Sequence, residues 1–123
     1  MMIIHLFITR NINLIMSEDA FQTMGLMIMG HNVSFSERIN NRRFRAFFGT
    51  SPRICSIIWG IISQQTNFPD HNHNYRHLLM ALHFLKCYNT EDVDAGLFHV
   101  DPKTFRTHLW EYIHLLSSMK IVI

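Results

Sequence analysis

Helix-start signals divide the sequence after residue 50 into short segments. Ser51-Pro52 and Asp101-Pro102 each place a capping side chain directly before a proline. A capping oxygen accepts a hydrogen bond from a free backbone N–H group at the start of a helix. Proline suits the first helical position because the backbone N–H that it lacks would have no partner within the helix. Thr90 is a third such start, because Glu91-Asp92 after it favours the positive end of a helix dipole. A chain that starts helices so often is predicted to be a bundle of short helices.

Apolar spacing between these signals predicts an all-α fold with helices near 39–48, 52–63, 75–88, 91–98 and 102–118. Residues 1–37 show no sustained period, so we expect a loosely attached leader followed by a helical domain over 38–123. Isoleucines at helical spacing predict one buried face on the second helix: Ile54, Ile57, Ile58, Ile61 and Ile62. The predicted core of the last three helices is Leu79, Leu82, Leu85, Val93, Leu97, Phe105, Leu109 and Ile113.

Composition limits the class of protein. The chain has 123 residues, 48% of them hydrophobic and 16% charged, which suits one small domain with a buried core. A formal charge of +2 does not by itself indicate a nucleic-acid-binding protein. The most apolar stretch, residues 1–16, is interrupted by polar side chains, so no membrane segment is expected. Cys55 and Cys87 form no disulfide framework and are both expected to be buried thiols in a reduced, intracellular protein.

The last three predicted helices have the layout of a tri-helical helix-turn-helix over residues 75–119. In such modules the start of the third helix enters the major groove of DNA. The residues expected to contact DNA there are Lys103, Thr104, Arg106, Thr107 and His108. The alternative is a plain helical core. Five basic and five acidic residues between 75 and 123 weigh against a strongly DNA-binding surface.

A run of arginines lies upstream of this region. Arg38, Arg42, Arg43, Arg45 and Arg53 occur within sixteen residues with no acidic residue among them. We expect Arg42, Arg43 and Arg45 to contact DNA phosphates. Two other interpretations remain open, namely a solvated helix face and a contact with an acidic partner domain.

Other chemistries lack support in the sequence. His71, His73, His77 and His83 have spacing that imidazole-bound zinc or nickel would tolerate, but only Asp70 lies near enough to complete a ligand set. The acids at 91–94 are typical of a helix start. We therefore expect no metal, no cofactor, no catalytic residue and no small-molecule substrate.

Two segments together carry a family resemblance. Residues 43–62 contain R-F-R-x-x-F-G and S-P-x-x-C-x-x-x-W, and residues 77–123 contain H-L-L-x-A-L-x-F-L-K, T-E-D-V and K-T-F-R. These segments resemble the N-terminal region of Harbinger-type, transposase-derived proteins of the DDE endonuclease superfamily.

The resemblance implies a helix-turn-helix that precedes an RNase H-like nuclease domain, in which three carboxylates hold two metal ions. The chain ends at Ile123, so we expect a fragment without the nuclease domain. The predicted function is DNA binding by a nuclear protein without cleavage activity. The alternative is a structural or protein-interaction fragment that braces a nuclease domain.

Overall fold

The computed structural model describes residues 18–65, 68 and 75–119. This part of the chain is all-α and contains six helices. We label them α1 (residues 18–28), α2 (Glu37–Phe48), α3 (Pro52–Ile62), α4 (Tyr75–Cys87), α5 (Glu91–Leu97) and α6 (Pro102–Ser117). The all-α prediction is confirmed, and the five predicted helices end within two residues of the observed bounds.

The predicted caps explain why the helices begin where they do. The Ser51 hydroxyl accepts the Ile54 N–H at 3.2 Å, and the Thr90 hydroxyl accepts the Val93 N–H at 3.2 Å. Asp101 accepts two backbone N–H groups at the start of α6, at 3.0 and 3.3 Å. These bonds satisfy helix-end donors that would otherwise need water.

Helix α4 is the centre of the domain. It contacts α2, α3, α5 and α6. Four consecutive residues, 78–81, are buried, which an amphipathic surface helix would not show. The other helices therefore pack around α4 rather than against one side of it.

Aromatic rings connect helices that are distant in sequence. Phe21 of α1 lies 4.7 Å from the Tyr75 ring of α4 and 6.2 Å from the Trp59 ring of α3, measured between centroids. Trp59 also stacks parallel to Tyr112 of α6 at 6.4 Å. Such ring pairs add modest stability beyond the area that they bury, and this layer joins both ends of the described chain.

Part of the predicted leader belongs to the core. Phe21 and Leu26 of α1 are fully buried, so the expectation of a loosely attached segment fails for residues 18–28. The backbone at Gly25 approaches the Phe44 and Phe48 rings so closely that a side chain would not fit. A short helix that packs on its neighbour through a glycine shows little apolar periodicity in the sequence. Residues 1–17 lie outside the described part.

The predicted isoleucine face of α3 is also corrected. Ile62 is buried, but Ile54, Ile57 and Ile61 are 40–42% exposed. The face that packs inward consists of Pro52, Cys55, Ser56 and Ile62. The helix is apolar on nearly every side, so the spacing of its isoleucines does not identify which side is covered.

The predicted core of the last three helices is correct in its centre and wrong at its edge. Leu79, Phe105 and Leu109 are fully buried, whereas Leu82, Leu97 and Ile113 are partly buried. Leu85 and Val93 are exposed, by 42% and 59%. Both lie near a helix end, where the apolar spacing of the sequence continues past the last residue that a neighbouring helix covers.

The two cysteines differ in exposure. Cys55 is fully buried in α3, and burial raises the pKa of its thiol to about 12. Cys87 is the last residue of α4 and is exposed. The expectation of a buried thiol is therefore correct for Cys55 and wrong for Cys87.

A pair of glycine substitutions tests the docking of α1. Gly25→Ala should lower the free energy of unfolding by about 1–3 kcal/mol, because the new methyl group meets Phe44 and Phe48. Gly96→Ala is the matched control, because nothing lies within 4 Å of the added carbon. It should leave stability unchanged or raise it by up to about 0.5 kcal/mol. Urea unfolding of both variants measures the difference, and equal midpoints would show that α1 is not docked.

Candidate nucleic-acid interface

The arginines of α2 divide by their exposure. Arg38, Arg42 and Arg45 are exposed, and their spacing of four and three residues places them on one side of the helix. Arg43 is half-buried. The opposite side carries Asn40, Phe44 and Phe48, all buried. The core contact of α2 thus turns most of its positive charge toward solvent.

The start of α3 adds a further arginine to this surface. Arg53 follows the Ser51-Pro52 start and is exposed. Together with residues of α1 and α2 it borders an open surface depression of about 390 Å³, which we call the arginine depression. Its lining residues are Glu18, Arg38, Asn41, Arg45, Ser51 and Arg53.

Local hydrogen bonds fix the orientation of α2. The buried side chain of Asn40 accepts the Ser34 N–H at 2.8 Å and donates to the Ser34 carbonyl at 2.9 Å. At the other end Gly49, with φ of 80°, donates its N–H to the Arg45 carbonyl at 2.8 Å. Glycine adopts this left-handed conformation without a steric penalty. The turn brings Ser51 and Arg53 beside the α2 arginines.

The start of α6 presents the other predicted DNA contacts. Lys103, Thr104, Arg106 and Thr107 are all exposed. The Arg106 Nε donates to Glu91 of α5 at 2.7 Å, and the Thr107 hydroxyl donates to the Lys103 carbonyl at 3.1 Å. Two of the four side chains are therefore already engaged within the protein.

Acidic groups surround the start of α6. Asp101 occupies two of its backbone N–H groups, and Glu91 pairs with Arg106. The hydrogen bond and charge of Glu91 raise the pKa of Arg106 above its usual range, with a smaller contribution from Asp92. A phosphate at this position would have to displace a carboxylate. The arginine depression, by contrast, has one acidic residue among its lining side chains, Glu18.

His108 does not share the exposed surface of its neighbours. Its ring stacks on His77 of α4, with centroids 3.8 Å apart and planes at 12°. Its Nδ1 lies 4.0 Å from a Glu111 carboxylate oxygen. The structure therefore places His108 in the contact between α4 and α6, away from the side chains that point to solvent.

The sequence identified the arginines, but not which of them converge. Arg38 and Arg53 border the depression beside Arg45, whereas Arg42 and Arg43 do not. Asn41 and Ser51 were not predicted as contacts. The helical spacing of Arg38, Asn41 and Arg45 indicates that these three side chains share one face of α2. The position of Arg53 depends on the turn at 49–51 and is not visible in the spacing.

Among the described residues, no cluster of three His, Cys, Asp or Glu side chains is arranged to hold a metal ion. His77 and His83 belong to separate contacts, and His71 and His73 lie outside the described part. No helix in that part is long and apolar enough to cross a membrane. Comparisons with protein-family models, with curated proteins and with solved structures find no match to this chain.

The Asp101 cap gives a test of the local structure at α6. Asp101→Ala should lower the free energy of unfolding by about 1 kcal/mol, because two backbone donors lose their acceptor. Asp101→Asn should retain most of that stability, since an amide oxygen also caps a helix. Thermal unfolding compares the two variants. A loss in Asn as large as that in Ala would show that charge, and not the hydrogen bonds, holds this helix start.

Proposed function

We propose that this protein binds duplex DNA through its phosphates, with the arginine depression as the principal contact. The supporting observation is the convergence of Arg38, Arg45 and Arg53 around one open depression. Arginine presents a planar set of donors that matches a phosphate group. Asn41 and Ser51 at the same place are side chains that donate hydrogen bonds to phosphate oxygens.

The start of α3 strengthens this proposal. The amino end of a helix carries a partial positive charge that favours an anion. The first turn of α3 contains no acidic residue, so nothing within that turn offsets its dipole. Guanidinium groups and a helix end thus act on the same region.

The proposal includes the arrangement of α4, α5 and α6 as a helix-turn-helix. Helix α6 packs on both α4 and α5, and the exposed Lys103 and Thr104 are available to a DNA groove. Arg106 is held by Glu91, so base contacts at this end would contribute less than the phosphate contacts. The Harbinger-type resemblance supports the same function and a nuclear location. Strand cleavage is not part of the proposal.

Salt dependence tests the proposal. If four to six cationic contacts form, the logarithm of the binding constant should fall against log salt with a slope of about −4 to −5. Arg45→Ala should weaken binding to duplexes of any sequence and reduce the slope by about one unit. Fluorescence anisotropy over a salt series measures both quantities.

Lys103→Ala is the matched control, because it removes one exposed charge from the start of α6. It should change affinity less than Arg45→Ala. A larger effect of Lys103→Ala would move the interface to α6. No binding at about 50 mM salt, where phosphate contacts are strong, would contradict the proposal.

A second candidate is a protein-docking role, favoured by the exposed side of α3. Ile54, Ile57 and Ile61 are spaced by three and four residues, so they form one apolar stripe open to solvent. Such stripes are typical of partner contacts, and this one suits the alternative in which the fragment braces another domain. Ile57→Ser should leave DNA binding unchanged. A loss of DNA binding in the folded variant would place the stripe in the DNA interface and contradict this second candidate.

A further inference from the structure

The loop between α1 and α2 carries the most exposed apolar side chain in the described part of the chain. Phe35 has a relative exposure of 111%, so solvent surrounds its ring. Burial of a phenylalanine ring is favourable, and this ring gains no such stabilisation from the described residues. An exposed phenylalanine is not unusual by itself, so its surroundings decide what it can do.

The loop backbone holds Phe35 in this position. Ser34 exchanges two hydrogen bonds with the fully buried side chain of Asn40, at 2.8 and 2.9 Å. The Ser36 N–H donates to the Ser34 hydroxyl at 3.2 Å, and the Ser36 hydroxyl caps α2 by accepting the Ile39 N–H at 3.3 Å. The residues on both sides of Phe35 are thus anchored to α2. The backbone therefore has little freedom to lose when the ring binds a ligand.

The common partner of an apolar residue at this position is replaced in α2. An apolar residue directly before a helix cap often packs on the fourth residue of the helix. In α2 the cap is Ser36 and the fourth residue is Asn40, whose amide is committed to Ser34. The Phe35 ring is therefore left to solvent or to a ligand.

Positive charge lies directly beside this ring. Phe35 precedes Arg38 by three residues, and Arg38 lines the arginine depression. The acid between them, Glu37, is engaged with α1, because its carboxylate accepts a hydrogen bond from Gln22 Nε2 at 3.2 Å. The exposed arginines of α2 continue from Arg38 along one side of the helix. Phe35 thus lies at one end of a row of cations.

A cationic surface with an aromatic ring is the combination by which proteins bind single-stranded nucleic acid. The cations follow the phosphates, and a base stacks on the ring. A base within a duplex already stacks on its neighbours, so its faces are not available to Phe35. We propose that Phe35 stacks on an unpaired base while the arginine depression holds the adjoining phosphates, so that the preferred DNA carries a single-stranded segment. This inference rests on the proposed DNA binding and specifies which form of DNA is selected.

A protein partner is the other way to cover this ring. Met27 and Val33 are also exposed, by 70% and 49%, and an apolar pocket could accept them together with Phe35. The charge beside the ring favours DNA, because an apolar pocket over Phe35 would also draw Arg38 out of water without a partner charge.

The experiment compares three DNA ligands that differ in one region. They are a blunt duplex, the same duplex with a single-stranded thymidine overhang, and that duplex with abasic residues in the overhang. The abasic overhang keeps every phosphate and lacks only the bases. Fluorescence anisotropy of the full chain at about 50 mM salt measures each affinity. Wild-type protein should bind the thymidine overhang about five- to a hundredfold more tightly than the abasic overhang, as expected for one stacked base.

Substitutions of Phe35 test whether its ring causes this preference. Phe35→Ala should weaken binding to the thymidine overhang by the same factor and leave binding to the other two ligands unchanged. Phe35→Leu should recover little of the loss, because leucine is apolar but has no ring face, whereas Phe35→Trp should restore it. Tyr88→Ala is the matched control, since Tyr88 is an 83% exposed aromatic residue that does not line the depression. It should bind all three ligands as wild type does, and circular dichroism verifies that each variant is folded.

The outcomes separate this inference from the proposed function. Stacking involves no ion, so Phe35→Ala should leave the salt slope on the thymidine overhang unchanged, whereas Arg45→Ala should reduce it. Equal wild-type affinity for the thymidine and abasic overhangs, with salt-dependent binding of the blunt duplex, would overturn the inference and leave DNA binding intact.

Two further results would also overturn it. An equal loss of blunt-duplex binding in Phe35→Ala would show that the ring inserts into paired DNA. Wild-type affinity of Phe35→Leu for the thymidine overhang would show that any apolar side chain suffices and that no base stacks. Failure to bind any of the three ligands would contradict the proposed function and this inference together.

Discussion

The buried pair of His83 and Asp94 is the interaction on which the arrangement of the helices depends. His83 belongs to α4, its acceptor carbonyl to α2 and its carboxylate partner to α5, so one imidazole ring joins three helices. The Phe47 ring stacks on it with centroids 3.9 Å apart. The imidazole is thus fixed by the Phe47 carbonyl at one ring nitrogen and by a carboxylate oxygen 3.5 Å from the other. The three helices are thereby held in one relative position, which apolar packing alone would specify less strictly.

The helix starts could be predicted from the sequence because they depend on residues that are close together in the chain. Capping residues at 51, 90 and 101 act on backbone groups two or three positions away, so they can be identified without knowledge of the fold. Burial is different, since it depends on which neighbour covers a helix. Helix α3 is apolar on nearly every side, and its inward face was therefore not predictable. The docking of helix α1 was missed for the opposite reason, because part of its contact is formed by a glycine backbone.

The candidate site shows the same division. The arginine run was visible as charge, and its helical spacing places several members on one side of α2. Convergence with Arg53 requires the Gly49 turn, and Glu18 reaches the same depression only because α1 folds back. The partnership of His83 and Asp94 was likewise hidden, because the two residues lie on different helices. In the sequence, a carboxylate in the first turn of a helix looks the same whether it is buried or only interacts with the helix dipole.

The contacts of Phe21 have a consequence for synthesis of the chain. Phe21 packs on Trp59 and Tyr75, so a ribosome must extend the chain far beyond α1 before these partners emerge. The contacts among α4, α5 and α6 join close neighbours in sequence and form rapidly. Until these partners emerge, Phe21 of a nascent chain lacks two of the rings that cover it. During that interval the Phe21 side of α1 is open to chaperones and to aggregation, while Phe44 and Phe48 of α2 are already available to pack on Gly25.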